Sequence, residues 1–186
     1  MEKMRKRKLH PAAGSIARPI IEYPMRKLKL LNVKPFRQSP GFCGPASLKM
    51  VADYFGVKKS ERAIGRLARC SAQHGTTGPN LILAARALGF SAQLVRHASF
   101  GDIHRFLRTN IPPIAGWFST DDSHYSPVVG LDAQRIYLQD PELRRMRVMD
   151  REAFMRVWFD FDSDVPRHER DCILRRLIVL RPKERR

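Results

Sequence analysis

Residues 38–56 read QSPGFCGPASLKMVADYFG and contain the start of the first clear helix. Pro45 can occupy the first turn of that helix, because an opening turn leaves its N–H groups unpaired. Apolar residues at helical spacing continue to Phe55, and Gly56 ends the pattern. Cys43 therefore lies immediately before the predicted helix, where free N–H groups and the helix dipole favour a thiolate. A small buried side chain at a helix start is the plain alternative for this cysteine.

Two residues near Cys43 suit chemistry at a carbonyl carbon. Gly44 removes side-chain bulk next to the sulfur. Gln38, five residues upstream, can turn its amide toward a tetrahedral intermediate formed at Cys43. That amide would add a donor to the backbone N–H of Cys43, as in an oxyanion hole. The segment therefore predicts a nucleophile together with an oxyanion donor.

A thiolate at neutral pH needs a base, and one of the six histidines has a carboxylate partner. His124 opens the strand HYSPVVG, and the return strand RIYLQD ends in Asp140. If the turn centres on residues 132–134, Ser126 lies opposite Asp140, so His124 and Asp140 share one face of the hairpin. A carboxylate there would orient the imidazole and stabilise its charged form. The alternative is a solvent-facing histidine and a turn-forming Asp-Pro pair.

The other thiols and imidazoles do not form a comparable set. Cys70 and His74 have the spacing of two metal ligands, but no second pair follows at a zinc-finger spacing. We therefore expect no metal and no cofactor. With Cys43 and Cys172, the chain has three irregularly spaced cysteines, which favours reduced thiols in a cytoplasmic protein over a disulfide framework.

The order of predicted elements indicates an α+β fold, since helices come first and an antiparallel sheet second. The chain has 186 residues, of which 43% are hydrophobic, enough for one domain with its own core. We expect helices near 45–55, 61–68, 81–88, 103–107 and 151–158, and strands at 90–95, 114–118, 124–131, 135–139 and 173–180.

The excess of basic residues, +17 overall, lies mostly at the two ends. Residues 1–37 hold eleven basic and two acidic side chains, a net charge of +9. We expect a basic arm over 1–37, an organised domain over 38–180 and a basic tail over 181–186. A solvated arm is the plain interpretation, with an acidic partner or lipid surface as the alternative. Nucleic acid is less favoured, because its binders place basic residues on a folded face.

No window has the uncharged apolar length that a membrane span requires. The charged N-terminus MEKMRKRKLH is not followed by an apolar segment of the kind found in secretory signals. We therefore expect no membrane span and no secretory signal.

Over about residues 36–160 the sequence resembles one family, because short motifs follow one another in the same order. These motifs are Gln38, CGPASLKM, YFG, GT, AARALGF, HY with VVG, and a strand ending in DP. The family comprises the papain-like cysteine peptidases that process bacteriocins at double-glycine leaders. The resemblance implies a papain-like fold, with N-terminal helices packed on an antiparallel sheet, and a peptide or protein substrate. It also implies that Cys43 is the nucleophile, His124 the general base and then acid, Asp140 the orienting carboxylate, and Gln38 the oxyanion donor.

The chain departs from the transporter-fused members of that family. Phe42 stands where they carry an acidic residue, and Gln38 lies five rather than six positions before the cysteine. The phosphate loop GxxxxGK[ST] is absent from the sequence, so the chain looks closer to the stand-alone relatives. Two alternatives stay open: a binding module that keeps the cleft without turnover, and an acyl transferase that uses the same triad.

Overall fold

A computed structural model describes residues 28–119, 122–161 and 167–183. The helices in these ranges are α1 (Cys43–Tyr54), α2 (Glu61–Leu67), α3 (Gly78–Ala87), α4 (Phe100–Arg108) and α5 (Arg151–Val157), with a 3-10 turn at Glu169–Asp171. The strands are β1 (Phe90–Val95), β2 (Ile114–Phe118), β3 (Ser123–Leu131), β4 (Arg135–Asp140), β5 (Arg145–Asp150), β6 (Phe159–Phe161), β7 (Cys172–Leu174) and β8 (Arg176–Pro182).

Six strands form one antiparallel sheet in the order β1-β8-β2-β3-β4-β5. Strand β8, from the end of the chain, lies between β1 and β2. Strands β6 and β7 form a separate two-stranded sheet. The predicted α+β class, with N-terminal helices packed on an antiparallel sheet, is confirmed.

Local signals fix where the helices start. Ser60 and Thr77 each accept a hydrogen bond from the backbone of the first turn that follows, and so cap α2 and α3. Ser99 and Asp102 form a reciprocal capping box at α4. Asp150 precedes α5 as predicted, although its side chain makes no capping hydrogen bond.

Both faces of the large sheet are covered by apolar side chains. Two clusters of buried apolar side chains lie on opposite faces of the sheet. Successive residues of β8 point to opposite faces, so that Ile178 belongs to one cluster and Leu177 to the other. Helices α2 and α3 contribute to the cluster of Ile178, and helices α4 and α5 to the cluster of Leu177. Helix α1 contributes to both, with Val51 in the first and Met50 in the second. Strand β3, which contains His124, therefore lies in a sheet that is packed on both faces. This packing restricts the movement of its side chains.

Two strand expectations were incomplete. The expected strand at 173–180 is two strands, because Arg175 adopts a left-handed conformation (φ 50°) that breaks the chain direction between β7 and β8. Strands β5 and β6 were not predicted. Strand β5 is an edge strand whose residues are exposed or half-buried, so it has no core-facing apolar alternation to mark it.

The described end of the expected basic arm is packed rather than free. Leu31 and Val33 are buried in the core, and the Leu31 N–H donates to the Val129 carbonyl at 2.8 Å. Two alternating apolar residues are too short a pattern to indicate a strand from sequence. Residues 1–27 of the arm and 184–186 of the tail lie outside the described residues. Among the described residues, no helix is both long and apolar enough to cross a membrane.

Candidate active site

Cys43 is the first residue of α1 rather than the residue before it, and Phe42 occupies the cap position. The Phe42 carbonyl accepts the first helical hydrogen bond, from Ala46, at 2.9 Å. As the opening residue, Cys43 has a backbone N–H without an intrahelical acceptor. Its half-buried thiol therefore lies at the positive end of a twelve-residue helix.

A close backbone approach shapes the loop before Cys43. Gly41 has φ +72°, and a Cβ there would lie 2.3 Å from the Ala72 carbonyl oxygen. Glycine is therefore required at this position for both conformation and space. This approach brings the loop at 72–76 against the start of α1 as one wall of a cleft.

Helix α1 is joined to β3 one turn beyond Cys43. The Ser47 hydroxyl, fully buried, donates to the Tyr125 carbonyl at 2.8 Å. Tyr125 directly follows His124, so this hydrogen bond fixes the helix of Cys43 against the strand of His124. Sequence reasoning missed Ser47, although a small polar residue four positions after a candidate nucleophile is the signal that would have indicated it.

His124 and Asp140 are in contact inside the sheet. His124 Nε2 lies 3.1 Å from Asp140 Oδ1, and both side chains are buried. Since Nε2 faces the carboxylate, Nδ1 is the ring nitrogen left for Cys43. The ring of Trp117 stands edge-on to the imidazole, with the two centroids 5.4 Å apart.

A β-bulge makes this contact possible. Near the turn Leu131 pairs with Ile136, and this register would place Asp140 opposite Pro127. The ladder shifts by one residue between Val128 and Gly130, and the continued pairing then puts Ser126 opposite Asp140. Because a one-residue shift exchanges the two faces of a strand, the bulge brings His124 to the face of Asp140. His124 and Asp140 therefore share a face of the hairpin, as expected. The pairing of Leu131 with Ile136 next to the turn differs by one residue from the expected register, and the bulge restores that register.

The environment of Asp140 favours its ionised form. Burial by itself raises the pKa of this carboxyl, but hydrogen bonds and charges from His124 and Arg147 lower the pKa to about 2. Arg147 Nε donates to Oδ2 at 2.7 Å, and the backbone N–H groups of Glu142 and Leu143 donate to Oδ1. Sequence reasoning missed Arg147, because no local pattern shows which residue of an edge strand reaches a neighbouring strand.

His124 is correspondingly stabilised as an imidazolium. Burial is the largest influence and lowers its pKa, but hydrogen bonds and charges from Asp140 and Cys43 outweigh burial and raise the pKa to about 9. The imidazole is therefore protonated at neutral pH, with Asp140 on one side and Cys43 on the other.

Gln38 belongs to the same cleft. Its backbone N–H donates to the Pro141 carbonyl at 3.0 Å, which ties the segment before α1 to the turn after Asp140. Its side-chain Oε1 is buried and has no hydrogen-bond partner among the described residues. The side chain lines the cleft with Cys43 and His124.

The structure thus brings all four predicted site residues together. Gln38, Cys43 and His124 line a cleft of about 290 Å³, and Asp140 lies behind His124. The cleft is also lined by polar residues around the start of β3 and the turn after β4: Ser119, Asp122, Ser123 and Glu142. A thiol, an imidazole and an amide at one concave surface are groups that acyl-transfer chemistry can use.

The thiol of Cys70 differs from that of Cys43. Its sulfur lies 3.6 Å from the Gly41 carbonyl oxygen, and burial, followed by the nearby Cys43 and Glu61, raises the pKa of Cys70 to about 12. A thiol held in its neutral form is a poor nucleophile and a poor metal ligand.

His124, Asp140 and Glu142 hold donor atoms within 4.8 Å of one another, but Asp140 Oδ1 is occupied by His124 and backbone N–H groups.

Comparison with known proteins identifies the family of this chain. The sequence profile of the Peptidase C39 family matches residues 37–161. An uncharacterized protein of Methanothermobacter marburgensis is 36% identical over 127 residues, which cover 66% of this chain and 80% of that protein. An uncharacterized protein of Methanothermobacter thermautotrophicus is 34% identical over 130 residues, 70% and 83% of the two chains.

Solved structures agree on the fold. The peptidase domain of Streptococcus ComA has a TM-score of 0.65 at 23% identity, over 81% of this chain and 99% of that one. A double-glycine protease from a PCAT transporter, solved with its leader peptide, has a TM-score of 0.63 at 19% identity, over 83% and 95%. A C39-like peptidase from Bacillus anthracis has a TM-score of 0.63 at 15% identity, over 86% and 100%. At these identities the likeness shows the fold alone, and it confirms the papain-like fold.

Proposed function

Because the chain belongs to the Peptidase C39 family, we propose that it is a cysteine peptidase that cleaves peptide bonds with Cys43 as its nucleophile. The observation that carries the proposal is the arrangement around His124. Asp140 lies 3.1 Å from one ring nitrogen, and Cys43 interacts with the ring from the cleft side. A binding module has no chemical need for an orienting carboxylate behind a buried imidazole.

Acylation begins from a thiolate and an imidazolium. The raised pKa of His124 keeps its ring protonated at neutral pH, and Cys43, at the start of α1, attacks in its thiolate form. The thiolate attacks the scissile carbonyl carbon and forms a tetrahedral intermediate. The Gln38 amide and the Cys43 backbone N–H stabilise its oxyanion. His124 then donates its proton to the leaving amine, and the C–N bond breaks to leave a thioester on Cys43.

Deacylation uses the same groups in reverse. His124, now neutral, takes a proton from a water molecule, and the resulting hydroxide attacks the thioester carbonyl. The C–S bond breaks, Cys43 leaves as a thiolate, and His124 is an imidazolium again. Asp140 stays ionised throughout, because its carboxylate stabilises the charged ring in both half-reactions.

The substrate in this proposal is a peptide or protein that enters the cleft as an extended segment. Three free thiols fit a reducing, cytoplasmic setting. Residues 1–27, outside the described structure, continue as the proposed basic arm, and an acidic partner is the class that its charge would attract.

The proposal is tested with a peptide mixture digested from a whole proteome. The wild-type protein is expected to generate new peptide termini that depend on Cys43 and His124, whereas Cys43→Ala generates none. Cys172→Ala is the matched control, since it removes another half-exposed thiol away from the cleft. Products that carry an added amine acceptor instead of a free carboxylate would indicate an acyl transferase. If Cys43→Ala and wild type give the same peptides, the peptidase proposal is wrong.

A further inference from the structure

Arg147 is placed to act on the site through Asp140. It pairs opposite Leu138 in the β4–β5 ladder, two positions from Asp140 along β4. Its side chain crosses the ladder diagonally, and Nε donates to Asp140 Oδ2 at 2.7 Å. Asp140 is fully buried, whereas the Arg147 side chain is 28% exposed, so the ion pair has its acidic member inside and its basic member at the rim.

The two oxygens of Asp140 have separate partners. Oδ1 accepts from His124 and from the backbone of the turn that follows β4. Oδ2 accepts from Arg147, and no second partner for Oδ2 occurs in the described part of the chain. Rotation of the carboxylate would therefore break hydrogen bonds on both oxygens. Arg147 holds the orientation in which Oδ1 points at the imidazole.

The guanidinium of Arg147 is itself held in place. It lies over the ring of Trp117, 5.5 Å from the ring centroid. The same ring stands edge-on to His124. Trp117 thus contacts both the imidazole of His124 and the guanidinium of Arg147, and Asp140 bonds to both of these groups, so each contact limits movement of the next.

We propose that Arg147 is a positioning residue for the Cys43–His124 pair, acting by fixing the carboxylate of Asp140. This inference rests on the proposed peptidase function, because the imidazole it orients is the acid and base of that mechanism. Without Arg147, the buried carboxylate loses the donor on Oδ2 and must take up a proton, rotate or admit water. Each of these outcomes weakens its support of the imidazolium, and with it the thiolate.

The charged groups around the pair are few among the described residues. His124 is faced by Cys43 from α1, by Asp140 from β4 and by Glu142 from the following turn. Asp140 is faced by His124 from β3 and by Arg147 from β5. Arg147 is therefore the only arginine or lysine that the structure places against this carboxylate within the ranges it describes.

The test compares Arg147→Met, Arg147→Gln and Arg147→Lys with Arg145→Met. Arg145 lies on the same strand, opposite Asp140 in the backbone register, but its exposed side chain makes no ion pair with Asp140. The control therefore removes the same charge from nearly the same place and leaves the contact intact. The first readout is the rate of Cys43 alkylation by iodoacetamide from pH 5 to 9, and the second is the carbon-13 NMR titration of the Asp140 carboxyl.

We expect Arg147→Met to lower the alkylation rate at pH 6.5 roughly tenfold and to move the acid limb of the profile up by about one pH unit. The pKa of Asp140 should rise from about 2 toward its ordinary range. Arg147→Lys should restore only part of the rate, because it keeps the positive charge and a donor but loses the planar guanidinium that lies over Trp117. Arg145→Met should change the rate less than about twofold.

Profiles and carboxyl titrations of Arg147→Met that match those of Arg145→Met would overturn the inference. If Arg147→Met does not fold, Arg147→Gln, which keeps a donor without the charge, carries the same comparison. If wild-type Cys43 itself reacts no faster than Cys172 at pH 6.5, the proposed function fails. The Asp140 titration then still decides whether Arg147 holds the carboxylate.

Discussion

Replacing Asp140 with asparagine removes the carboxylate that keeps His124 charged, and the pKa of His124 should fall. That pKa is about 9 against an ordinary value of 6.5, a difference worth about 3 kcal/mol in favour of the imidazolium. Asp140 and Cys43 supply this stabilisation, whereas burial opposes it. Asp140→Asn alone should therefore lower the pKa by at least about one pH unit. In the double variant with Asp140→Asn and Cys43→Ala, neither partner offsets the effect of burial on His124. The pKa of His124 should then fall below 6.5.

The assay is an NMR pH titration of the His124 ring, assigned by loss of its signal in His124→Gln. Asp150→Asn is the control, because Asp150 is an exposed carboxylate at the far end of β5 and makes no side-chain cap hydrogen bond. The control should leave the midpoint unchanged. A His124 midpoint that is the same in the wild type and in Asp140→Asn would refute the role given to the carboxylate.

Three further outcomes follow from individual contacts. Ser47→Ala removes the buried hydroxyl that donates to the Tyr125 carbonyl and should lower the free energy of unfolding in urea by about 1 kcal/mol. Gly41→Ala should lower the melting temperature more than Gly56→Ala, since both glycines have positive φ but only Gly41 would force a Cβ against a backbone carbonyl. Because the pKa of Asp140 is lowered in the folded protein, its ionised form stabilises the fold above about pH 4, and this contribution is lost as the pH falls toward 2. The free energy of unfolding, measured from pH 5 to 2, should fall by about 2 kcal/mol more in the wild type than in Asp140→Asn.

Local sequence signals predicted much of the fold. Strands β1 and β2 have the predicted bounds, and the helix before Gly56 and the hairpin that ends in Asp140 are present, because capping residues, glycine stops and apolar periodicity act within a few residues. The insertion of β8 between β1 and β2 has no such signal. It depends on which strand edges are open once the rest of the chain has folded.

The residues of the candidate site could be predicted where their chemical type indicates a role. They could not be predicted where the role depends only on how the chain folds. A cysteine at a helix start and a histidine that shares a hairpin with an Asp-Pro pair are visible in sequence. The bulge at Val129 is not visible, yet it decides which face His124 occupies. Arg147 and Ser47 act across strands and between helix and sheet, so only the folded chain shows their partners.

Whether Cys43 is an activated nucleophile is decided by comparing its reactivity with that of the other thiols in the same molecule. Alkylation at pH 6 is followed by peptide mass spectrometry, with Cys172 as the reference and Cys70, whose pKa is raised to about 12, as the unreactive limit. We expect Cys43 to react at least about tenfold faster than Cys172, and we expect His124→Ala but not His104→Ala to remove this difference. Equal rates at Cys43 and Cys172 in the wild-type protein would contradict this expectation.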